Sequence, residues 1–87
     1  MIKNDDLELL RRNLLFFRAN CKKKLEGDPV KQSHSERVFD VIEGLVEKGR
    51  IADMLGVEAV YYYCMDKMKE ESSKLDQYAN EIIAFIS

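Results

Sequence analysis

The side chains that most often do chemistry are sparse in this 87-residue sequence. His34 is the only histidine, and the two cysteines, Cys21 and Cys64, are far apart in the chain. A metal site needs several His, Cys or carboxylate ligands at close spacing, and no such cluster can be read here. A Ser-His or Cys-His nucleophile pair needs a base held beside the nucleophile, and nothing in the sequence positions one. The carboxylates are many but scattered, and no glycine-rich phosphate loop occurs. The expectation is therefore a protein that is not an enzyme, with no metal and no cofactor.

Two groups of residues remain as candidates for binding. Tyr61, Tyr62 and Tyr63 are consecutive, so on a helix they fan over about 200° at about 100° each. They cannot all face one core, and aromatic residues with a polar tip are enriched at interface hot spots. Tyr62 and Tyr63 are the expected protein-binding residues, the alternative being that two pack inward and one lies at the boundary. The second group is basic. Arg11, Arg18 and Lys22 fall near one helical face and could contact nucleic acid or another anion, or could be a solvated face that suits the helix dipole.

The segment Arg50-Ile51-Ala52-Asp53-Met54-Leu55-Gly56-Val57 resembles the helix-turn-helix pattern, with Ala52, Gly56 and Val57 at the small, glycine and apolar positions. The resemblance covers about 20 residues, and it implies a reading helix beginning at Glu58. That helix would open Glu58-Ala59-Val60-Tyr61, without the Arg, Asn or Gln that usually reads bases. A tight corner between two helices explains the same residues.

Helices are what must position these groups. Leu7, Leu10, Leu14, Phe17, Cys21 and Leu25 form the apolar stripe of a helix over 5–26. Asn4 or Asp5 is expected to cap it, and Gly27 and Pro29 end it. Ser33 and Glu36 fit a capping box opening a second helix over 34–48, in which Gly44 suggests close helix packing. A short apolar segment, Arg50–Leu55, is expected as a minor helix. From Glu58 to about Phe85, Tyr61, Cys64, Met68, Leu75, Tyr78, Ile82 and Phe85 keep a heptad seam, interrupted at Glu71. One long C-terminal helix through Ser72 is the expectation. The fold class is all-α, a small bundle of three main helices plus one short one, in a single domain over 1–87.

Net charge is −2, but residues 1–32 carry +3 and residues 33–87 carry −5. That polarity suits pairing within the fold or with a second copy. Both cysteines lie on apolar faces and are expected as buried, reduced thiols. No run approaches the ~20 apolar residues of a membrane span, and Met1–Asp6 lacks the pattern of a signal peptide, so a cytoplasmic address is expected. The resulting functional expectation is a small regulatory or inhibitory protein that binds another protein. Its size, acidity and helicity are common among phage-encoded and mobile-element proteins that block host machinery, an analogy of composition alone. A homodimer through the C-terminal seam is the expected assembly, and the alternative function is a helix-turn-helix regulator of transcription.

Overall fold

The computed structural model describes residues 4–87. They form four helices: α1 (Asn4–Lys24), α2 (Pro29–Glu47), α3 (Met54–Met68) and α4 (Leu75–Ile86), with one 3-10 turn at Ser72–Lys74. No strand occurs among the described residues. The all-α bundle read from the sequence is therefore what the chain adopts, while several helix boundaries are not as expected.

α1 already includes Asn4 and Asp5, so neither is the cap; the capping position and the signal-peptide reading of residues 1–3 lie outside the described residues. Asp5 and Asp6 sit in the first turn and Lys22–Lys24 in the last, which suits the dipole at both ends. Gly27 follows with φ 92°, a conformation costly for residues with a Cβ.

α2 starts at Pro29, five residues before the expected start. The Asp28 carboxylate accepts from the Lys31 amide at 3.2 Å, and Pro29 supplies a preset φ at the first helical position. Those two residues outcompete the Ser33 capping box. Ser33 ends up exposed within the helix, and Glu36 turns to α1. At the far end Gly49 has φ 75°, with the Arg50 amide donating to Leu45 O and the Gly49 amide to Val46 O. This is a Schellman stop.

The segment expected as a minor helix is divided: Arg50–Asp53 is a loop and Met54 and Leu55 open α3, because Asp53 caps that helix by accepting from the Gly56 amide at 2.9 Å. Gly56 thus lies in the first turn of α3, and the chain reverses at Lys48–Asp53. The helix-turn-helix register, with its turn at Gly56, is not adopted.

The long C-terminal helix is corrected too. It breaks at Lys69–Glu71, where Glu71 is extended (φ −151°) and its carboxylate accepts from both the amide and the hydroxyl of Ser73. Side chains that bond the local backbone compete with a helix, and here they win without Gly or Pro. α4 then folds back antiparallel on α3, tied by Tyr63 to Glu81 at 2.8 Å.

α1 runs antiparallel to α2, with Arg11 at Glu47 and Arg18 at Glu36. α2 and α3 are antiparallel across the Ser35–Tyr61 bond. α1 and α4 flank this central pair on opposite sides, so the Cα envelope measures 37 × 27 × 16 Å. The centre is filled by Val38, Phe39, Ile42, Val57, Val60 and Cys64, all closed to solvent. Most of the expected dimer seam is turned inward: Tyr61, Cys64, Met68, Leu75 and Tyr78 are buried within one chain, while Ile82 is half-buried and Phe85 is 85% exposed.

Candidate functional site: an apolar face on α1 and α3

An aromatic cluster links the core to the surface. Phe39 packs on Tyr61 at 4.7 Å between ring centroids, Phe17 meets both edge-on at 5.5 and 5.2 Å, and Tyr62 meets Phe17 at 6.1 Å. Such edge-to-face pairs contribute beyond their buried area. The Tyr61 hydroxyl and Ser35 Oγ lie 2.8 Å apart, so the two buried polar groups satisfy each other. Burial pushes the Tyr61 phenol up to about 12, with the Ser35 bond opposing and the Cys21 thiol adding to the rise. Burial also raises the Cys64 thiol to about 11, so it is a poor nucleophile. Both cysteines are free and buried.

The two expected protein-binding tyrosines point to different places. Tyr62 is exposed on the α1 side of α3. Tyr63 is half-buried on the α4 side, where it donates to Glu81 and lies 5.7 Å beneath the Lys67 ammonium. They do not share a surface.

The basic strip is likewise divided. Arg18 reaches Glu36, Asp40 and Glu43 on α2, with its guanidinium 5.7 Å from the Phe39 ring centroid. Arg11 is held by Glu8 and Glu47, both at 2.7 Å. Two of the three cations therefore clamp α1 to α2, and exposed Lys22 stands apart from them. The four α2 acids recur at intervals of 4, 3 and 4, the partner stripe that the sequence reading did not assign to Arg11 and Arg18.

What the fold does assemble is an apolar surface. α1 and α3 run parallel: Leu9, Leu10 and Asn13 line a groove with Ala52, Asp53 and Met54, and Phe17 lies against Tyr61 and Tyr62. Leu9 and Phe16 on α1, and Leu55 and Tyr62 on α3, are 57, 70, 78 and 59% exposed. Each pair is seven residues apart, which keeps both members on one stripe of their helix. Clustered apolar side chains of this size mark interaction surfaces, whereas singly scattered ones such as Val30 do not. Sequence reasoning missed Leu9, Phe16 and Leu55. The signal available was that α1 carries a second apolar stripe beyond Leu7, Leu10, Leu14, Phe17 and Cys21.

No protein-family model matches the chain, and no curated protein or solved structure does. Among the described residues, no group of three or more His, Cys, Asp or Glu could hold a metal ion, and no helix is long and apolar enough to cross a membrane.

Proposed function

We propose that the protein is a small regulatory module that acts by binding another protein through the α1/α3 face. One observation carries this reading: Leu9, Phe16, Leu55 and Tyr62 stand exposed on two adjacent helices while the core closes without them. Exposed aromatic and leucine side chains stabilise a complex by leaving water, and Tyr62 can keep its hydroxyl at the wet rim. The alternative, nucleic-acid binding through Arg11, Arg18 and Lys22, gains less from the geometry. Two of those cations already have carboxylate partners, and the exposed start of α3 offers Leu55, Glu58 and Tyr62 rather than basic or amide groups.

The test is capture of partners from the native host's lysate with and without nuclease, comparing the wild type with Phe16→Glu/Tyr62→Ser. A stoichiometric protein held by the wild type and lost at least tenfold in the variant is expected. Equal capture by both, or recovery of nuclease-sensitive material alone, would count against the reading.

A further inference from the structure

We draw no further inference here: the strongest candidate, the exposed apolar face that Leu9 and Phe16 of α1 form with Leu55 and Tyr62 of α3, belongs to the site already described, and because exposed charges of both signs (Arg12, Lys23 and Lys69; Glu58, Asp66 and Glu70) share its stripes, nothing in the structure shows what covers it.

Discussion

Ser35 and Tyr61 are the two residues whose burial depends most on each other. Ser35 is 3% exposed and its hydroxyl has Tyr61 OH at 2.8 Å. Tyr61→Phe keeps the ring packing on Phe39 and Phe17 but strips Ser35 of that partner. It should cost about 1 to 2 kcal/mol by urea unfolding, and Ser35→Ala in the same background should recover part of the loss. The same neighbourhood sets the alkaline limit of the fold. Burial raises Tyr61 from 10.0 to about 12 and Cys64 from 9.0 to about 11, so folding favours both neutral forms. Their contribution is whole below the unfolded values and is lost as pH rises through the folded ones. Thermal melts should thus hold steady to about pH 9 and fall between about pH 9 and 12, and Cys64→Ala should move the onset toward pH 10. At this scale the sequence was partly legible. That the three successive tyrosines could not all be buried follows from helical angle alone, but that Ser35 would meet Tyr61 needed the α2–α3 pairing.

Helix content was legible from period, and helix ends were not, because several capping signals competed. Asp28-Pro29 and Ser33-x-x-Glu36 both satisfy the rules for a start, and the first prevails since it gains an extra turn while Glu36 gains Arg18. The break at Glu71 shows the same limit. Its signal was the Glu-Ser-Ser run itself, in which Glu71 caps the following turn through Ser73. Folding back there buries Leu75, Tyr78 and Ile83, which a straight helix would leave without a surface to cover. Gly44 gives a test of another boundary between reading and structure. Expected at a close helix contact, it is exposed, and an added Cβ would meet nothing within 4 Å. Gly44→Ala should therefore stabilise the protein by about 1 kcal/mol and raise its Tm by about 4 to 8 °C. Gly56→Ala should not share that gain, since its Cβ would sit 3.1 Å from Cγ2 of buried Ile51.

Across the whole molecule, the halves of opposite charge read from the sequence are partly spent inside it. Arg18, with a side chain 25% exposed, is shared among Glu36, Asp40 and Glu43. Arg18→Met leaves three neighbouring acids without their cation and should cost about 1 kcal/mol at low salt, less at 1 M NaCl where screening shortens their reach. Denaturant titrations at the two salt concentrations measure both values. The apolar α1/α3 face, by contrast, was hardly legible. Leu9 and Phe16 belong to a stripe that becomes meaningful only once α3 is known to lie parallel beside α1, a relation between residues some 46 positions apart.

The way α1 is held has a kinetic consequence. It contributes Leu10, Leu14 and Cys21 to the buried interior, whereas α2, α3 and α4 supply nearly all the rest through contacts between chain neighbours. Because α1 supplies the fewest buried side chains of the four helices, it should dock last onto the α2–α4 unit and leave it first, turning about Gly27 and held by Arg11 and Arg18. In native-state hydrogen exchange the amides of α1 should open together, at lower free energy than those of α3, and added salt should speed the α1 set selectively. Each such opening bares the rings of Phe39 and Tyr61, making the docking of α1 the step at which an unfolding chain first becomes sticky.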